Sequence, residues 1–119
     1  MTTLNAHTFA SRDDAEARYL GLIDGAAATA RHIDPAQAEV YREKLAEAKA
    51  GGGPLLAAEA TALGADPETV RNAVLRNNHR WQQHVNAVEL ARITAKAAVR
   101  NAATAAAMHR IYREYQEAL

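Results

Sequence analysis

DPETVRNAVLRNNHRWQQHVNAVELARITAKAAVRNAATAAAMHRIYREYQEAL, residues Asp66 to Leu119, contains no glycine and no further proline after Pro67. Nothing in it forces a stop, so it predicts one long helix, or two collinear ones, over about 67–118. Asp66 can accept backbone N–H bonds as N-cap. Pro67 suits the first helical position, whose amide needs no intrahelical partner, and Glu68 faces the positive end of the macrodipole. Good helix formers then dominate. Only Asn77-Asn78 and the run Asn101 to Thr104 weaken the propensity, which leaves room for a kink, notably near 101–104.

At about 100° of rotation per residue, with Trp81 at zero, the apolar residues sort into two directions. Val70, Val74, Trp81, Val85, Val88, Ala95, Val99 and Ala106 fall within roughly 40° of zero. Leu75, Leu90, Ile93, Ala97, Thr104, Met108, Ile111 and Tyr115 fall between roughly 120° and 180°. A helix apolar on two sides must be covered on two sides. The upstream segments can supply one cover. The other is expected from another chain, with Leu90, Ile93, Ala97, Met108, Ile111 and Tyr115 as the partner-binding residues. Making Leu90, Ile93 and Ile111 polar should then abolish association and leave helicity intact; if such variants unfold, the stripe belongs to the internal core.

The upstream sequence predicts shorter helices. Ser11-Arg12-Asp13-Asp14 has the spacing of a capping box, and Ala15, Tyr19, Leu22, Ile23 and Ala26 carry a helix over about 12–31. Asp34-Pro35 repeats the cap-and-proline logic and opens a second helix over 35–50, ended by Gly51-Gly52-Gly53. Its Ala38, Tyr41, Leu45 and Ala48 line one face, while Arg42, Glu43, Lys44, Glu47 and Lys49 are expected in solvent. Pro54 to Leu63 is a third, very apolar helix stopped by Gly64. Turns of two to four residues between helices imply antiparallel neighbours. The fold class is therefore all-α: short antiparallel helices packed on a long C-terminal helix, in a single domain over 11–119. Residues 1–10 lack helical periodicity and read as an extended arm, disordered alone and able to dock on a neighbour.

Composition bounds the function. The 119 residues are 49% apolar but only 5% aromatic, with much of the apolar share alanine, so burial per residue is small and association is favoured. Lys+Arg and Asp+Glu number 14 each, and that zero net charge argues against a general nucleic-acid binder. The two signs are unevenly placed: residues 1–65 carry 6 basic against 9 acidic, residues 66–119 carry 8 against 5. No cysteine is present to form a disulfide or a thiolate metal site. No basic leader or long apolar run is seen, so synthesis in the cytoplasm without a membrane span is the expectation.

Candidate chemistry is sparse. His79 and His84 stand five apart, about 140° around a helix, unlike the four-residue spacing that puts two imidazoles on one metal. No metal or cofactor is expected. Asn77 to His84 forms a polar belt around Trp81. Arg92, Lys96 and Arg100 step by four and make a candidate basic ridge, able to bind phosphate or to pair with the acidic Glu39, Glu43 and Glu47 face. Met108, Tyr112 and Tyr115 suit either a partner patch or a core. Gly51-Gly52-Gly53 lacks the Lys-Ser/Thr and preceding strand of a phosphate loop. No nucleophile, base and orienting group stand in a recognisable arrangement, so no enzyme activity is expected.

Tyr41-Arg42-Glu43-Lys44-Leu45-Ala46-Glu47-Ala48, the glycine break, Pro54-Leu55-Leu56-Ala57-Ala58-Glu59-Ala60, Gly64 and the helix from Trp81 through Ala91-Arg92-Ile93-Thr94-Ala95-Lys96-Ala97-Ala98-Val99 follow a recognisable order. Together they resemble small helical proteins encoded among the tail genes of double-stranded DNA bacteriophages, over roughly residues 14–104. That resemblance implies a structural or chaperone-like protein of a tail, tail fibre or baseplate, with no catalytic residues to carry over. The expected role is thus a virion tail adaptor, made in the host cytoplasm, that binds other tail or fibre proteins and itself. A fibre-assembly chaperone absent from the mature particle and a small nucleic-acid-binding regulator using the basic ridge are the alternatives.

Overall fold

A computed structural model describes residues 9–119. Those residues are all-α, with five helices among them: α1 (Arg12–Ala30), α2 (Pro35–Ala50), α3 (Pro54–Leu63), α4 (Pro67–Asn101) and α5 (Ala105–Ala118). The arm expected over 1–10 lies mostly outside the described residues; Phe9 packs its ring 5.6 Å from that of Tyr19.

Helix ends are satisfied by specific side chains. Ser11 Oγ accepts from the Asp14 amide at 3.1 Å, Asp34 Oδ2 from Gln37 at 3.2 Å and Asp66 Oδ1 from Glu68 at 3.2 Å. At the C-terminal end of α2, Gly51 takes φ 100°, and the Gly52 amide reaches back to Glu47 O at 2.9 Å. Gly64, at φ 64°, does the same for α3, where the Ala65 amide donates to Ala60 O at 2.9 Å. Both turns need a left-handed residue, which glycine supplies without a Cβ clash.

Two findings revise the sequence reading. The helix expected over 67–118 is not continuous. It stops at Asn101, and Thr104 opens α5 by accepting from the Ala107 amide at 3.2 Å. The expected kink near 101–104 is thus a complete interruption. The second finding is that residues 11–119, expected as a single domain, divide into two compact units: one of Ile33–His84, the other of the described residues up to His32 together with Val85–Leu119. Each has its own apolar cluster.

In the first unit α1 lies between partners running both ways. Arg12 meets the carbonyls at the end of α4, Asp24 meets Arg92 and Lys96, and Arg31 meets Glu89. Rising numbers on α1 face falling numbers on α4, so the two are antiparallel. Tyr19 meets His109 and Tyr112, and Ile23 meets Tyr115, so α1 and α5 run in the same direction. It follows that α5 doubles back along α4 rather than extending it. The core is Ala15, Tyr19, Ile23, Ala95, Val99, Met108 and Tyr115.

In the second unit α2 and α3 form an antiparallel hairpin, with Lys44 paired to Glu59 and Glu47 to the start of α3. The first half of α4 adds Val70 to a small core of Ala48, Leu56 and Ala60.

Candidate docking surface

The interruption at 102–104 divides the second apolar stripe. Met108 and Tyr115, on α5, are buried in the first core, and Ile111 packs half-buried against it. Expected to bind a partner, these three instead fill the space between α5 and α1. Leu90, Ile93 and Ala97, on α4, remain exposed, Leu90 by 67% and Ile93 by 52%. The first stripe divides as well: Val70, Val88, Ala95 and Val99 are buried, whereas Ala106 is exposed. Beyond the break the two stripes exchange roles, because a new helix starts there with its own rotation.

The ridge is only partly a ridge. Arg92 holds Glu89 with two hydrogen bonds, at 2.9 and 2.7 Å, and Asp24 with a third at 2.9 Å. Lys96 spans both oxygens of Asp24 at 3.0 and 2.9 Å. Arg31 closes the group on Glu89 at 3.0 Å. The Arg92 and Arg31 guanidinium groups hold the Glu89 carboxyl down to about 2. Hydrogen bonds from Lys96 first, then Arg92, lower that of Asp24, and Arg92 is raised in turn by Glu89 and Asp24. These carboxylates, not the Glu39, Glu43 and Glu47 face, are the partners of Arg92 and Lys96. Arg100 lies exposed outside the network, and its backbone carbonyl accepts from Arg12 at 2.8 Å.

Several structural residues were invisible to pattern reading. Arg12 reaches across to Ala102 O at 3.0 Å and Val99 O at 3.4 Å as well as Arg100 O, capping the C-terminus of α4 with a cation where the macrodipole favours one. Glu47, expected in solvent, accepts from the amides of Leu55 at 3.2 Å and Leu56 at 3.0 Å and so caps α3 from α2. Gly53 at the N-cap position has no side chain to do this, and a Cβ there would collide with the Glu47 carboxyl. Arg71 donates to Ala48 O at 2.7 Å, closing the end of α2. Tyr19 and His109 share a hydrogen bond of 2.9 Å, and the Tyr115 hydroxyl donates to Ile23 O at 3.3 Å.

An open groove of about 620 Å³ runs beside α1 and α5, lined by Gly21, Leu22, Gly25, Ala26, Thr29 and Tyr112 among others. Trp81 is half-buried, its ring 5.4 Å from that of His84. Among the described residues no cluster of three or more His, Asp or Glu is placed to hold a metal, and no helix is long and apolar enough to cross a membrane.

The surface presents an apolar line on α4, edged on the α1 side by paired charges. Compared with known proteins, the chain matches no family model, no curated protein and no solved structure.

Proposed function

We propose that this chain is a non-enzymatic assembly protein that joins other proteins through the exposed Leu90, Ile93 and Ala97 line of α4. The resemblance described above makes a bacteriophage tail, fibre or baseplate its setting, with residence in the virion. The supporting observation is the 67% exposure of Leu90 beside the 52% exposure of Ile93 on one line of α4. A Leu or Ile fully buried at a contact contributes about 1.5 to 3 kcal/mol, so this line has free energy to gain from a partner. Arg92 and Lys96 neutralise Asp24 and Glu89, which leaves Arg100 as the ridge's one member outside the network and weakens a phosphate-binding role.

Co-expression with the genes flanking its own tests the proposal. The chain is expected to co-purify with a tail component, and Leu90→Glu with Ile93→Glu to lose that component while circular dichroism stays helical. Co-purification unaffected by both substitutions would rule this surface out. Mass spectrometry of purified particles separates the two assembly roles: a resident adaptor is present, a chaperone absent.

A further inference from the structure

The exposed line on α4 has an internal pattern that specifies a partner. Asn86, Leu90, Ile93, Ala97 and Arg100 are spaced 4, 3, 4 and 3, the alternation of seam positions in a paired-helix zipper. The apolar members sit in the middle and the polar ones close the two ends. On one flank stand Ala87, Thr94 and Asn101, all exposed, uncharged and short enough for a second helix to approach closely. On the other flank stand Glu89 and Lys96, seven apart and of opposite sign.

We infer that this face pairs with the same face of a second copy of the chain, the two α4 segments running antiparallel with Leu90 of each opposite Ile93 of the other. This rests on the docking role of the Leu90 line proposed above, and names its occupant. The charges select the direction. In the antiparallel register, Glu89 of one copy lies about 3 Å along the axis from Lys96 of the other, at a rise of about 1.5 Å per residue, and the twofold axis makes the pair occur twice. A parallel pairing would set Glu89 against Thr94 and Lys96 against Asn101, with no complementary charge. Lys96 has capacity for the extra contact: an ammonium carries three N–H donors, and Asp24 engages it through two contacts. The opposite flank then brings Ala87 of one copy beside Thr94 of the other. A formal net charge of zero removes the overall repulsion that would oppose two copies meeting. With three apolar residues contributed by each copy, the contact is short and concentration-dependent.

Sedimentation equilibrium of the full chain over a concentration series reads the association. A monomer–dimer equilibrium is expected, weakened on the order of a hundredfold by Leu90→Glu, since two leucines leave each dimer interface. Leu90→Ser gives a second, milder variant whose circular dichroism must match the parent. Because the chain has no cysteine, direction can be read by disulfide mapping. A mixture of Ala87→Cys and Thr94→Cys proteins is expected to oxidise to the mixed dimer in preference to either homodimer. A chain that stays monomeric at millimolar concentration overturns the inference, as does a dimer indifferent to Leu90→Glu or one lacking the mixed cross-link. A monomer that still captures a tail component through Leu90 overturns self-pairing alone and leaves the proposed function standing.

Discussion

The unit containing α1 and the unit containing α2 are held by different means. The first buries Tyr19, Ile23, Val99, Met108 and Tyr115, with two hydroxyls satisfied inside, and links α1 to α4 through Asp24, Glu89, Arg92 and Lys96. The second buries two alanines, one valine and one leucine. Its order comes from helix ends: the Glu47 carboxylate on the start of α3, Arg71 on the end of α2, and left-handed glycines at Gly51 and Gly64. A helical unit with little to bury can be specified by satisfying the orphan groups at its termini. The consequence is that side-chain truncation should dominate in one unit and capping changes in the other.

The largest effect should follow Tyr19→Ala. The side chain is fully buried, touches Phe9, His109 and Tyr112, and its loss leaves a cavity facing several rings. A cost of about 3 to 5 kcal/mol is expected, as for large aromatic truncations, measured by urea unfolding with amide exchange of α1 and α5 as the local readout. The comparison breaks if exchange in α1 is untouched while that in α3 rises.

A smaller effect, about 1 to 3 kcal/mol, is expected from Glu47→Ala, which leaves two amides of α3 without a protein partner. Gly53→Ala should cost a similar amount by pushing the same carboxylate away, since φ 179° itself is extended backbone open to any residue. The two act on one interaction, so the double variant should cost little more than either single one. Additive costs would show that Gly53 serves some purpose other than making room for Glu47.

How much of this was legible beforehand follows the range of each signal. Ser11, Asp34 and Asp66 act on amides two or three residues away, and Gly51 and Gly64 on their own helix, so local sequence carries them. The break after Asn101 was harder. No glycine or proline marks it, Asn and Thr mark it only weakly, and part of its cause lies 90 residues away in Arg12, which binds the freed carbonyls. Rotation counted through the break then aligned Met108, Ile111 and Tyr115 with Leu90 and Ile93, although they belong to a helix running the other way. The candidate surface inherited that error: its α4 half lies exposed, and its α5 half is core. Glu47 and Asp24 look like ordinary surface acids in the sequence, because what each meets depends on which helices become neighbours.

The ionic part of the first unit gives a test with a definite sign. Glu89 is held down to about 2 from 4.5 by Arg92 and Arg31, and Asp24 below 3.8 by Lys96 and Arg92. A depressed carboxylate binds its proton less readily folded than unfolded, so its contribution is complete above the unfolded value and is lost as pH falls toward the folded one. Contacts between α1 and the second half of α4 should therefore loosen between about pH 4.5 and pH 2. These carboxylates are solvent-accessible, so the effect is modest, and 1 M salt should reduce it by screening. The opposite limb has another origin: burial raises Tyr19 and Tyr115 above 10, so the folded state prefers the neutral phenols and their contribution is lost as pH climbs past 10. Amide exchange of α1 followed from pH 5 to pH 2 should show the acid limb, and Glu89→Gln should reduce it to the part that belongs to Asp24, because a neutral amide has no proton to gain. If α1 in the parent stays equally protected down to pH 2, the ion pairs contribute nothing, and the first unit is held, like the second, by forces indifferent to this charge network.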